Sequence, residues 1–570
     1  MTSPPPASRL GQRRALAADA DATPPTGRTP RGQASASNGA AHVGAGILLS
    51  RLSGLLREVI TAGLLGLTGS ADAFRAALRI PNLMQNLLGE GVLSASFIPV
   101  YSRLSDADEQ EAGRTAGAVA GLLIAATSVL VLVGMVLARP LTILLTPGFT
   151  DDSEKLELTV SLVRIMFPGV GLLVLSAWCL AILNSHRRFF LSYVAPVLWN
   201  AAQIVVVAAV AVGGSTPRSL ANALAWGVVL GGALQLAVQY PSVRALVPNL
   251  RYSLDRRRQA VRDSLSRLGP VVFGRGIVQI SGYVNLILAS LLAGGALAAD
   301  TQAQFLYLLP VSLFGMSIAA AELPELSRLG PQDPESARAR VEHGLARVAY
   351  FVAPTAVVYV ALGELLVAAL FERGEFGPSE TRLVWLSLSA YAFGLIATTA
   401  SRLLQNTLYA LDDPRTPARI ALVRVVVGTI VALSTMFWFD RLVLVGTTVR
   451  TQGSVPDPGA LLHLGVVGIA LGSATAAWCE FLLLRKALSW RIGPVAIGGG
   501  RLPVVLTASL VAAALGRVVG LVLGDPPALL AAVPVFGVAG AAYLALTTAA
   551  GMRVRQELAG VTGGSSPEGD

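Results

Sequence analysis

"GAGILLSRLSGLLREVITAGLLGLTG", residues 44–69, is a glycine-rich apolar run long enough to cross a bilayer, yet it carries Arg51, Arg57 and Glu58. Comparable runs recur from residue 40 to residue 551, each long enough for a hydrocarbon core of about 30 Å. The composition agrees, with 53% hydrophobic residues, 14% charged residues and a mean hydropathy of +0.63. A soluble domain carries about 25% charged residues because its surface must be wetted. The chain therefore reads as an all-α polytopic membrane protein.

Apolar runs predict about 14 transmembrane helices, at roughly 40–67, 82–102, 113–138, 157–184, 190–213, 219–240, 270–294, 302–325, 343–371, 380–410, 417–438, 461–487, 502–523 and 527–551. Placing both termini in the cytoplasm puts about 22 Lys or Arg in the inside loops and about 9 outside, as the positive-inside rule requires. "FIPVYSRL" (97–104) recurs as "ELPELSRL" (322–329), 225 residues on, and the same offset sets Gly44 on Gly269. This repeat predicts two six-helix lobes, 39–241 and 270–490, followed by two C-terminal helices in 491–552, with a substrate path between the lobes. Residues 242–269 form a basic cytoplasmic loop; its Leu254, Val261, Leu265 and Leu268 suit either an amphipathic helix on the leaflet or a solvated connector. Residues 1–38, rich in Pro, Ser, Ala and Arg and without an apolar h-region, are expected to be a disordered basic tail rather than a cleaved signal. The segment 553–570 forms a second cytoplasmic tail.

Several function classes drop out. The net charge of +10 is distributed through short loops between spans, which makes it a topology signal and not a nucleic-acid surface. Lysine occurs only at Lys155 and Lys486, so no GxxxxGK[ST] phosphate loop exists. Cys179 and Cys479 sit in apolar runs, and the four histidines are scattered, so neither a disulfide framework nor a metal site is expected. No Ser/His/Asp set suggests catalysis, and no cofactor is expected.

What remains is charge inside the membrane. An arginine at a span's centre costs about 2.5–3.5 kcal/mol on insertion scales, so such residues face protein or a watery cavity. If the first helix begins near Ala41, Arg51 lies about 15 Å and Arg57 about 24 Å along it. Arg51 and Glu58 share a stripe, and Arg57 is rotated by about 120°. Two readings follow: a cavity wall charged at two angles, or a buried Arg51–Glu58 pair with Arg57 reaching outward. Glu90 between Gly89 and Gly91, where the second helix can loosen, Arg275 between Gly274 and Gly276, Glu322 and Arg402 favour one shared cavity. An excess of arginine suits an anionic substrate, because the guanidinium fork grips phosphate with paired hydrogen bonds.

Residues 50–104 carry the motifs Ser50-Arg51, Gly54, Arg57-Glu58, then Asp72-Ala73-Phe74, Pro81-Asn82-Leu83, Glu90-Gly91 and Phe97-Ile98-Pro99. With "TPGF" (146–149), "LFERGEF" (370–376) and "DPRTP" (413–417) in the same order, the chain resembles the MurJ (MviN) family of bacterial lipid II flippases. The resemblance implies the fold of the multidrug/oligosaccharidyl-lipid/polysaccharide exporter superfamily, with a cationic cavity built from helices one, two, seven and eight. It implies a groove for the lipid tail beside the last two helices, a bacterial plasma-membrane location, and membrane potential as the driving force. The implied activity moves lipid-linked peptidoglycan precursor to the outer leaflet by alternating access, with lipid II, membrane lipids and cell-wall synthesis proteins as partners. Substrate-binding candidates are Arg51, Arg57 and Arg275; cavity or gating candidates are Glu58, Asp72, Asn82 and Glu90. Two family arginines are absent, at Gln85/Asn86 and at Phe305, and Arg275 or Arg79 is the candidate substitute. The alternatives are an exporter of another polyprenyl-diphosphate glycan and a transport-inactive scaffold for wall synthesis.

Overall fold

The computed structural model describes residues 31–329, 333–455, 461–497, 501–524 and 526–552; within these, the side chains at 31–45, 47, 189, 193, 270, 273–275, 277, 278 and 320 lie outside the described set. Residues 1–30 of the predicted N-terminal tail and the tail at 553–570 lie outside the described residues. The first half of the chain supplies α1 (Arg31–Leu65), α2 (Gly69–Leu88), α3 (Glu90–Ser96), α4 (Ile98–Ala107), α5 (Glu109–Val136), α6 (Ala138–Leu145), α7 (Ser153–Ser185), α8 (Phe189–Ala211) and α9 (Pro217–Leu246). The second half supplies α10 (Gln259–Ser290), α11 (Ala296–Pro310), α12 (Met316–Leu329), α13 (Pro334–Ala361), α14 (Gly363–Phe371), α15 (Pro378–Ala392), α16 (Leu395–Ala410), α17 (Arg415–Phe439) and α18 (Gly465–Ile492). A C-terminal pair follows, α19 (Leu502–Leu523) and α20 (Ala528–Ala549).

Among the described residues, ten helices are long and apolar enough to cross a membrane, or eleven if α15 and α16, bent by 44°, count as one span. The long helices outside that set are α1, the broken run α2–α4, and α10. They hold Arg51, Arg57 and Glu58, then Asp72, Arg75 and Arg79, then Arg262, Asp263, Arg267 and Arg275. Polar residues are concentrated where hydropathy alone would not find a span.

Local chemistry sets the boundaries. Thr68 Oγ1 accepts the Ala71 N–H, so α2 begins at Gly69 and not near residue 82 as the apolar run suggested. Asp108 accepts the N–H groups of Gln110 and Glu111, and Asp152 that of Lys155, which start α5 and α7. The loosening expected near Glu90 is present: α2 stops at Leu88, Gly89 is extended, and α3 starts at Glu90. Prolines inside helices leave a carbonyl four residues back without its N–H. Two tyrosines supply the missing donor. Tyr359 donates to Leu306 O at 2.8 Å, opposite Pro310, and Tyr543 donates to Tyr350 O at 2.5 Å, opposite Pro354. The second bond also docks α20 on α13, alongside an apolar cluster of Tyr350, Ala353, Val505, Ala508 and Ala512.

The basic connector after α9 takes a form that neither sequence alternative anticipated in full. Residues 251–257 are not helical, whereas 259–268 form the first turns of α10. Gly113, Gly117 and Gly121 of α5 face the backbone of Asn249, Arg251 and Ser253; a Cβ on Gly117 would sit 2.0 Å from Arg251 O. Four helical residues rise about 6 Å and two extended residues about 6.6 Å, so the glycine stripe and the extended segment run in step. The fold is all-α, as expected, with one small non-helical element in the loop between α17 and α18. There β1 (Leu442–Val445), β2 (Thr448–Thr451) and β3 (Leu462–His463) form an antiparallel sheet in the order β2-β1-β3.

Candidate functional site

One end of the junction between the two halves is tied shut by backbone contacts. Glu375 N donates to Gly63 O at 2.8 Å, fastening the 372–376 turn to the last turns of α1. The approach needs glycine on both sides: a Cβ on Gly374 would lie 2.2 Å from Gly63 O, and one on Gly66 would lie 2.6 Å from Glu375 O. Asp72, buried at the start of α2, accepts Gly295 N and Ala298 N, each at 2.8 Å, and so caps α11 of the other half. Lys155 Nζ neutralises the same carboxylate at 2.7 Å. Further along, Arg79 of α2 donates to Gly282 O and Gln304 Oε1 of the second half, while Tyr283 donates to Arg79 O.

Arg51 lies about 21 Å along α1 from Leu65, at 1.5 Å per residue. At that depth a cleft of ≈ 660 Å³ separates α1 from α11 and α16. Arg51, Ser312, Arg402 and Asn406 supply its polar lining, and Phe305, Leu308, Leu309 and Met316 much of its apolar wall. The volume falls within the roughly 300–1,000 Å³ of small-ligand sites. Arg51 and Arg402 are exposed, and among the described residues no carboxylate pairs with either.

Three other buried carboxylates, Glu58, Glu322 and Glu480, are paired within their own half. Glu58, 5% exposed, accepts from Arg57 at 2.6 Å and from Arg75 at 2.7 Å. Arg57 stacks over Trp199 of α8, 4.7 Å from the ring centroid. Glu322 takes Arg340 at 2.5 Å and Arg347 at 3.0 Å, both from α13. Glu480 takes Arg424 at 2.6 Å and Gln405 at 2.8 Å. Two of these clusters hold two arginines to one carboxylate, so the bundle keeps a positive excess after pairing.

The sequence candidates therefore separate. Arg51 reaches the cleft. Arg57 and Glu58 do not join it; they are packed inside the first half, and Glu58 pairs with Arg57 and Arg75 instead of Arg51. Glu322 likewise leaves the shared cavity for α13. Asp72 belongs to the sealed end. Asn82 is half-buried on α2, and Glu90 is exposed in the first turn of α3, away from the cleft lining. Arg275 lies on α10 with its side chain outside the described set. Phe305, where the resemblance expects an arginine, does line the cleft. Arg75 was missed although it follows Asp72-Ala73-Phe74 directly; the sequence reading began the second helix after it, so its depth was invisible.

A bundle whose halves are tied at one end and flank an arginine-lined cleft at membrane depth has the architecture of a membrane transporter. Residues 61–455 match the family described as Lipid II flippase MurJ. The chain is 31% identical over 455 residues to the probable lipid II flippase MurJ of Rhizobium meliloti, covering 79% of this chain and 80% of that protein. It is 32% identical over 508 residues to the probable lipid II flippase MurJ of Bdellovibrio bacteriovorus, covering 87% and 92%. A solved lipid II flippase MurJ in an inward closed conformation shares the fold, with a TM-score of 0.70 at 18% identity, covering 89% of this chain and 98% of that one. An inward-facing multidrug resistance MATE family transporter of the MOP superfamily follows at 0.53 and 17% identity, covering 77% and 95%. The chain belongs to the MurJ family.

Proposed function

We propose that this protein carries lipid II, the lipid-linked peptidoglycan precursor, from the inner to the outer leaflet of the bacterial plasma membrane by alternating access. It is a transporter and not an enzyme. The observation that carries the reading is the pair Arg51 and Arg402, unpaired among the described residues and facing one cleft, in a bundle whose buried Glu58, Glu322 and Glu480 already hold arginines of their own. A diphosphate would take the place of the missing carboxylates, gripped through paired N–H donors. Arg275 is proposed as a third cation from α10. Arg57, whose Nη1 is buried without an acceptor among the described residues, is proposed to hold α1 in register with Glu58.

In this reading the chain has fourteen spans: two six-helix lobes around the cleft and the pair α19–α20 beside a lipid-tail groove. Two observations support it. Arg79 and Gln304, 225 residues apart like the sequence repeat, are hydrogen-bonded, as residues near a two-fold axis would be. The three long helices that hydropathy passes over complete the count. Loop charge supports a cytoplasmic side for both termini, and in that orientation the Gly63–Glu375 and Asp72–Gly295 end is the outer one. Asp72, with Asn82 and Glu90 lower on the same side, then belongs to the gate. The tails 1–38 and 553–570 are proposed as cytoplasmic extensions, and the membrane potential as the drive.

Phe305 in the cleft wall favours a second reading, export of another polyprenyl-diphosphate glycan with fewer anionic contacts. Native mass spectrometry of the purified protein with lipid II and with glycan-free polyprenyl diphosphate separates them. Lipid II retained preferentially by the parent, and lost in Arg51→Ala and Arg402→Ala, is the expected outcome. Equal retention of both lipids, or retention unchanged in both variants, overturns the first reading. Complementation of a flippase-depleted strain adds the scaffold control: cavity variants fail and a variant lacking residues 1–38 survives.

A further inference from the structure

The buried carboxylates Glu58, Asp72, Glu322 and Glu480 each touch a cationic side chain. Asp300 differs. It is fully buried on α11, one turn inside the cap made by Asp72, and among the described residues no cation lies within ion-pair distance. Its Oδ1 accepts from Tyr391 Oη of α15 at 2.6 Å, and its Oδ2 from Gln304 Nε2 at 2.6 Å. Gln304 Nε2 also lies 3.1 Å from Tyr391 Oη. Both donors are neutral, so the carboxyl is held without a counter-ion in direct contact, an arrangement that tolerates a bound proton. Arg79 is the cation facing it, one side chain removed: it crosses from α2 to bond Gln304 Oε1 at 3.4 Å and Gly282 O at 3.2 Å. From α10, Tyr283 donates to Arg79 O, and on α18 Ser473 lies beside the Tyr391 hydroxyl.

We propose that Asp300 is a proton-binding site that couples protonation to separation of the two halves at the Asp72 end. This rests on the alternating-access reading and adds the ligand, a proton. The ionised carboxylate attracts Arg79 through Gln304 and holds the first half on the second. A proton from the outer aqueous phase bonds to Asp300 and removes that charge. Arg79 then keeps only its neutral contacts to Gly282 and Gln304, and the junction opens more readily. Gln304 and Leu308 follow Asp300 at one and two turns on the same stripe, and Leu308 lines the cleft. The site therefore stands between the seal and the substrate chamber, where a coupling ion must be read.

The test uses no substrate, so its failure and that of the lipid II reading are distinguishable. Spin labels at Thr150→Cys and Thr448→Cys, one on each half at the tied end, are introduced with Cys179→Ala and Cys479→Ala into the full chain in lipid nanodiscs. Between pH 8 and pH 5 the ratio of long to short distances should rise about tenfold in the parent. Asp300→Asn should show the acid-side distribution at both pH values, and Asp300→Glu should keep the transition with a displaced midpoint. Tyr391→Phe, which removes a neutral donor and not the titrating group, should retain a transition. A parent distribution unchanged across this range overturns the proposal, as does an Asp300→Asn variant that still shifts. If Asp300→Asn does not elute as a folded monodisperse protein, an Asp300→Glu midpoint identical to the parent's overturns it.

Discussion

Replacing Glu58 tests how the membrane charges are balanced. The carboxylate is 5% exposed and accepts one charge-assisted bond from Arg57 at 2.6 Å and one from Arg75 at 2.7 Å. Bonds to charged groups contribute about 1.5–3 kcal/mol each, and stripping one partner from a buried ion cluster costs about 3–5 kcal/mol. Arg57 Nη1 is already without an acceptor among the described residues, so the freed guanidinium has little to turn to. Glu58→Gln keeps the volume and one acceptor oxygen and should cost about 3 kcal/mol; Glu58→Ala should approach about 5 kcal/mol. Unfolding of the purified protein in mixed micelles titrated with SDS reads the loss, and Trp199, 4.7 Å from the Arg57 guanidinium, reports locally by fluorescence. The decisive comparison is a cycle with Arg75→Met. Because Arg75 is destabilising once Glu58 is gone, the double variant should recover about 2 kcal/mol relative to the sum of the singles. Strict additivity, or a Glu58→Gln variant within about 0.5 kcal/mol of the parent, would refute the idea that Glu58 is the shared counter-ion.

Three further outcomes follow from the packing. Tyr543→Phe leaves the Tyr350 carbonyl opposite Pro354 without its donor in an apolar setting and should lower stability by about 1–3 kcal/mol, with faster proteolysis between α19 and α20 as the selective readout. Gly117→Val places a branched side chain where a Cβ alone would already lie 2.0 Å from Arg251 O, so the 249–253 segment should detach; cysteine accessibility at Ser253 should rise while Gly269→Val, with open space around it, changes little. Asp413, in the loop after α16, has its carboxyl held below the usual range, first by the Thr416 hydroxyl and further by the Thr416 N–H and Arg491. A lowered folded value means that the unfolded chain binds the proton more readily, so the contribution is full above the ordinary carboxylate range and fades as pH falls through the folded value. Thermal midpoints between pH 3 and pH 7 should show part of the acid loss disappearing in Asp413→Asn; an unchanged pH profile would contradict this.

The class of protein was legible in residue order alone, because a bilayer imposes a length and a hydropathy on every span that no packing arrangement can override. The same holds for the loosening at Gly89 and for Phe305 standing where a cation was expected. Helix starts were less legible: Thr68 moves the start of α2 by more than three turns, and with it Asp72 and Arg75 pass from an assumed loop into the bundle. What one stretch of sequence could not supply is the partner of each charge. Arg51 and Arg57 are six residues apart on one helix, yet one faces a cleft bounded by Phe305 and Arg402 and the other is closed in by Glu58 and Trp199. For Arg51 the neighbours that decide its setting, Phe305 and Arg402, lie more than 100 positions away, as does Trp199 for Arg57, and they are brought near only when the helices pack. Spans are a property of the chain in its solvent; which charges are left for a ligand is a property of the assembled bundle.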